Sequence, residues 1–92
     1  MKVKAEFFAT LREKVGTAST EVSFSGNTVM DLIVALDEMF GGILKELMVE
    51  GGELRELVKI LVNGKDVRGI KGLYTELKGG DSVSFFPPVA GG

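Results

Sequence analysis

The chain has 92 residues, enough for one domain with one hydrophobic core and too few for a separate substrate domain. It contains no Cys and no His, which removes disulfides, thiolate nucleophiles, cysteine metal sites and the commonest general base. A formal charge of −2, with 5 basic and 8 acidic groups in residues 1–50 and 6 and 5 in residues 51–92, argues against nucleic acid as a partner. Hydrophobic residues make up 45% and charged residues 26%, and no apolar run approaches the ~18 residues of a membrane span. With no signal peptide before Met1, a soluble cytosolic protein is expected. Carboxylates, lysines, hydroxyls and Tyr74 remain, but no G-x-S-x-G, Walker or G-x-G-x-x-G spacing accompanies them, so self-contained catalysis is not expected.

Residues 1–10 alternate, with Val3, Ala5, Phe7 and Ala9 on one face and Lys2, Lys4, Glu6 and Phe8 on the other, the pattern of a half-buried strand. Phe8 is a large aromatic among charges. Residues 11–16 read as a short helical turn closed by Gly16, and Thr20, Val22 and Phe24 mark a second strand able to pair with the first as a hairpin. Thr28 and Asp31 then form a variant of the capping box, so a helix starts there. Val29, Leu32, Ile33, Leu36, Met39 and Phe40 recur at helical spacing as its apolar stripe, and Gly41-Gly42 ends it. Residues 43–49 read as a shorter helix and residues 50–53 as a loop.

Val58, Ile60 and Val62 alternate with Lys59 and Leu61, and Asn63-Gly64 is a strong hairpin signal leading to a short return strand over residues 65–67. Residues 70–77 form a connector around Leu73 and Tyr74 with one 3₁₀ turn, and Gly79-Gly80-Asp81 is a tight turn. The last strand, residues 82–86, places Val83 and Phe85 on one face and Ser84 and Phe86 on the other. This order of elements predicts an α+β fold: one mixed sheet of about five strands with a helix packed on one face, the β-grasp (ubiquitin-like) arrangement.

The end of the chain carries its chemistry. Pro87 and Pro88 have no N–H and hold φ near −65°, so the sheet stops and residues 87–92 are expected to leave the single domain as a tail, stiff at the prolines. Val89 and Ala90 follow, and then Gly91 and Gly92, which lack Cβ atoms and fit a channel one backbone wide. Gly92 thereby presents an uncrowded carboxylate to a reagent. A merely frayed terminus needs neither a Pro-Pro element nor an apolar strand directly behind it.

Three segments carry a family resemblance: residues 7–13 (FFATLRE) with Val15-Gly16, residues 80–83 (GDSV), and the terminal octet FFPPVAGG. The chain resembles the MoaD-type sulfur carriers of the MoaD/ThiS ubiquitin-like family, the small subunits of molybdopterin synthase. The resemblance spans the whole chain and is weakest over residues 41–57. It implies a non-catalytic subunit with no bound cofactor. A MoeB-like activating enzyme consumes ATP to adenylate Gly92, sulfur replaces the adenylate as a thiocarboxylate, and a MoaE-like catalytic subunit takes the sulfur for molybdenum or tungsten cofactor synthesis. The absence of Cys is compatible with that route, since no internal thiol intercepts the acyl adenylate.

The resemblance also sets the first and last strands side by side and parallel, making Phe8 and Phe86 neighbours on the face away from the helix. Leu61 joins them there, and an aromatic patch at the tail exit is a natural docking surface. Arg12, Lys65 and Arg68 are candidates for its polar rim. Three other functions use the same features: a ubiquitin-like modifier joined to lysines through Gly-Gly, a ThiS-like carrier for thiamine, which lacks the Phe-Pro-Pro context, and an interaction module whose tail does no chemistry.

Overall fold

The computed structural model describes residues 1–88. Strand β1 (Lys2–Phe7) buries Val3, Ala5 and Phe7, as its alternation requires, and pairs antiparallel with β2 (Ser19–Ser23). Helix α1 (Thr10–Val15) lies between them and ends on Gly16. Helix α2 (Val29–Phe40) and helix α3 (Ile43–Met48) follow, then a small hairpin of β3 (Val49–Glu50) and β4 (Glu53–Leu54). Strands β5 (Lys59–Val62), β6 (Lys65–Asp66) and β7 (Ser82–Phe86) complete a five-stranded sheet in the order β2-β1-β7-β5-β6. The central β7 runs parallel to β1 and antiparallel to β5.

Helix α2 covers one face of this sheet because its stripe of Val29, Leu32, Ile33 and Leu36 is wholly buried. Phe7 is the hub of the core: its ring stacks on Phe85 at 5.9 Å and meets Phe40 edge-on at 5.7 Å. Each fully buried ring of this kind contributes about 1.5–3 kcal/mol from burial alone. Leu44 and Met48 of α3 close the core beyond α2, whose end requires Gly41 and Gly42 because both adopt positive φ, 74° and 86°.

Four sequence expectations are corrected. The strand stops at Phe7, and Ala9 is exposed with φ of 54°, since the chain turns there into α1 rather than continuing inward. Met39 is 51% exposed: it sits on the flank of α2 turned toward β2, beside the buried stripe rather than in it. Residues 50–53 are not a plain loop: Glu50 and Glu53 pair as strand residues of β3 and β4, and Gly51 and Gly52, both at positive φ, turn the chain between them. The return strand is only Lys65–Asp66, because the Asp66 carboxylate accepts from Arg68 N–H at 2.9 Å and starts a 3₁₀ turn at Val67.

The capping box at Thr28 is complete. Thr28 Oγ1 accepts from Asp31 N–H at 3.2 Å, while Asp31 Oδ2 accepts from the N–H groups of Asn27 and Thr28 at 3.0 and 3.1 Å. The Asn27 and Thr28 donors hold the Asp31 carboxyl below its ordinary range. Thr28→Ala is expected to destabilise the fold by about 1 kcal/mol, read by chemical denaturation. Because the carboxyl is depressed in the folded state, its contribution is fully present above its unfolded pKa, near 4, and fades as pH falls through the folded value. An acid titration of stability in which Asp31→Asn removes part of that slope checks the sign.

Candidate functional site

The exit of the C-terminal segment is built by β1 and β7. Their parallel register pairs Glu6 with Ser84 and Phe7 with Phe85, and Phe8 N–H donates to Phe85 O at 3.2 Å. Side chains alternate across a strand, so Phe7 and Phe85 enter the core while Phe8 and Phe86 stand on the opposite face. Their rings stack there at 4.5 Å and 9° between planes, half-buried. Stacking of this kind is worth about 0.5–1.5 kcal/mol beyond burial.

Arg12 belongs to the same surface. The positive φ at Ala9 turns the chain back at about 1–3 kcal/mol of strain, and α1 then returns Arg12 over β1. Its Nε donates to Phe7 O at 3.2 Å, and its guanidinium carbon lies 5.9 Å from the Phe8 ring centre. Leu61 pairs with Ser84 and shares the outward face, half-buried and diagonal to Phe86. Lys59, missed in the sequence, pairs directly with Phe86 and forms the exposed basic edge of the patch. Only the register could reveal it.

Two rim candidates lie elsewhere. Lys65 pairs with the inward-facing Val62, so the two-residue period puts it on the other side of the sheet, beside Ile70, Lys71 and Lys78. The Arg68 guanidinium is engaged by the carbonyls of Arg55, Glu56 and Val58. It holds the loop over residues 55–58, which lines a recess of about 240 Å³ together with Glu50 and Pro88. Arg55 anchors the same loop by donating Nε to Glu46 O at 3.0 Å and by pairing with Glu50 at 3.1 Å.

Pro87 is buried and Pro88 half-buried, so the folded body continues through both prolines instead of ending at Phe86. The register that pairs Phe86 with Lys59 carries them alongside the 55–58 loop. Val89, Ala90, Gly91 and Gly92 lie outside the described residues. Among the described residues no group of three His, Cys, Asp or Glu could hold a metal ion, and no helix is long and apolar enough to cross a membrane.

The model of the ThiS family matches residues 5–92, almost the entire chain and its final glycine. The chain belongs to this family, which includes the MoaD-type sulfur carriers. It is 41% identical over 93 residues to small archaeal modifier protein 3 of Haloferax volcanii, covering 100% of both chains. It is 39% identical over 94 residues to the sulfur carrier protein CysO of Mycobacterium tuberculosis, again covering 100% of both. The molybdopterin synthase sulfur carrier subunit of Escherichia coli is 36% identical over 93 residues, covering 98% of this chain and 99% of that one. Among solved structures, small archaeal modifier protein 1 from Methanosarcina acetivorans superposes with a TM-score of 0.82 at 34% identity, covering 99% of this chain and 96% of that one. CysO in the Amycolatopsis orientalis BexX/CysO complex does so at 0.82 and 33%, covering 98% and 99%. The fold is the ubiquitin-like β-grasp.

Adjacent residues at the end of β7 should respond unequally to truncation. Phe85→Ala opens the core and is expected to cost about 3–5 kcal/mol. Phe86→Ala removes the outer stack and a half-buried ring and is expected to cost less, about 1–3 kcal/mol, with urea denaturation of both variants as the check.

Proposed function

We propose that the chain is the sulfur-carrier subunit of a molybdopterin synthase, with Gly92 as the point of attachment. Its carboxylate attacks the α-phosphate of ATP on a MoeB-like activating enzyme, pyrophosphate leaves, and a sulfur nucleophile then displaces AMP. The product is a thiocarboxylate, and the loaded terminus enters a MoaE-like catalytic subunit that passes the sulfur to the precursor of molybdopterin. The carrier itself performs no catalysis in this scheme. The observation that carries the reading is the parallel pairing of β1 with β7, which sets the stacked Phe8–Phe86 surface where the terminal segment begins. A partner docked on that surface receives the tail without having to find it. The family match through Gly92 and the relative named a molybdopterin synthase sulfur carrier subunit support the same assignment.

A second reading follows from the 41% identity to a protein named as a small archaeal modifier. There the same adenylate ends on a lysine nitrogen of another protein rather than on sulfur. Intact-mass analysis of the protein from its native cells separates the two. The expected result is a fraction heavier by the sulfur-for-oxygen difference, localised to the C-terminal peptide, which releases sulfur to the molybdopterin precursor when mixed with the catalytic subunit. Gly-Gly remnants on lysines with no thiocarboxylate, in cells making the cofactor, would overturn the carrier assignment.

Deleting Gly91 and Gly92 should leave the melting transition unchanged, since neither has a side chain to bury, and abolish ATP–pyrophosphate exchange with the activating enzyme. Phe8→Lys or Phe86→Lys should weaken binding to the catalytic subunit by ~2 kcal/mol or more while the monomer stays folded. Titration calorimetry beside a thermal melt reads both effects.

A further inference from the structure

A depression far from the tail exit lies between the outermost strand β2 and helix α2. Its volume is about 780 Å³. Of the six large hydrophobic side chains exposed among the described residues, three line it: Met1 at 40%, Val34 at 42% and Met39 at 51%. Phe24 and Ala35 form its half-buried floor. Asp31, Val34, Ala35, Glu38 and Met39 share one flank of α2 by their three- and four-residue spacing, a second stripe beside the one that enters the core.

The strand bordering this groove is an edge, and its backbone is unevenly guarded. Phe7 N–H donates to Ala18 O, and Met1 and Phe24 each donate N–H to the other's carbonyl. Because antiparallel pairs alternate, Ser19, Glu21 and Ser23 turn their N–H and C=O groups outward. Thr17 Oγ1 covers the Ser19 carbonyl at 3.0 Å and Thr20 Oγ1 the Glu21 carbonyl at 3.3 Å, which blunts the first half of the edge. Ser23 itself lines the groove. The open half of the edge and the apolar depression are therefore continuous.

The charge of the lining selects among occupants. Two carboxylates, Asp31 and Glu38, stand in it with no lysine or arginine, and the one positive group is the Met1 ammonium, which is turned to Phe24 O at 3.2 Å. The N–H groups of Asn27 and Thr28 donate to Asp31 Oδ2 and favour the charged form of that carboxylate. We propose that this groove takes an extended, basic-flanked segment of a partner protein as an added strand beside β2. Its alternate apolar side chains rest on Val34 and Met39, and its Lys or Arg residues face Asp31 and Glu38. The groove lies at the Met1 end of β1 and the tail exit at the Phe8 end, roughly 20 Å apart at the rise of an extended strand. Occupancy of one site thus leaves the other free, and a groove-bound protein is carried along while the terminus is being activated.

The test is a titration of the full isotope-labelled chain with a short synthetic peptide alternating valine and threonine between pairs of lysines, followed by backbone amide shifts. Shifts confined to residues 19–25 and 34–39 are the expected result. Binding should weaken at least ~10-fold on N-methylation of alternate peptide amides, on exchange of the flanking lysines for glutamates, and in Val34→Lys. Deletion of Gly91 and Gly92, or Phe86→Lys, should leave peptide affinity unchanged, and Val34→Lys should leave tail activation unchanged. The proposal therefore stands or falls apart from the carrier reading. No shifts, shifts centred on Phe8 and Phe86, or equal affinity of the N-methylated peptide would overturn it. So would concentration-dependent self-association through the same residues without peptide, which would make a second copy the occupant.

Discussion

The parallel pairing of β1 with β7 is the constraint on which the rest of this domain depends. It joins residues about eighty positions apart in the chain, so its loop-closure entropy must be offset by what the pairing brings together. The same register that seats Phe7 on Phe85 inside the core seats Phe8 on Phe86 outside it. Core and candidate docking surface are thus two faces of one ladder. A slip of one residue would exchange them, turning the charged and polar partners inward, and the buried Phe7–Phe85–Phe40 cluster opposes any such slip.

Polar side chains in this molecule mostly serve backbone. Arg12 takes the Phe7 carbonyl, Arg68 takes those of Arg55, Glu56 and Val58, and Arg55 takes that of Glu46. Asn63 binds Asp81 through Nδ2 and accepts from Ser82 N–H through Oδ1, both at 2.9 Å, fixing the β5–β6 turn to the start of β7. These contacts lock loops beside the central strand at both of its ends. No buried side-chain nitrogen or oxygen among the described residues lacks a partner. Such an arrangement suits a carrier, whose body need only hold one terminus in a fixed place while enzymes supply the chemistry.

Much of the fold was legible because it is written in local periodicity. The alternation of Val3, Ala5 and Phe7, the stripe of Val29, Leu32, Ile33 and Leu36, the Thr28–Asp31 cap and the Asn63-Gly64 turn each act within a few residues of themselves. Periodicity misled where a pattern ran past its element. Ala9 kept the strand alternation after the chain had turned, and Met39 kept the helical spacing after the stripe had rotated past the sheet. The β3–β4 hairpin escaped because two-residue strands carry no period to detect.

By itself the sequence determined that the last apolar strand runs into two prolines followed by Val89-Ala90-Gly91-Gly92, and with that pattern the family. Tertiary structure decided what stands around that exit. Lys59 reached the aromatic patch and Lys65 did not, because strand register assigns faces and no local signal reports register between distant strands. Arg68 became a clamp on the 55–58 loop, since its charge says nothing about which carbonyls will come within reach. The β2–α2 groove belongs to the same class. Its apolar residues are separated in sequence by an entire cap and helix turn, and only packing α2 across the sheet edge makes them one surface.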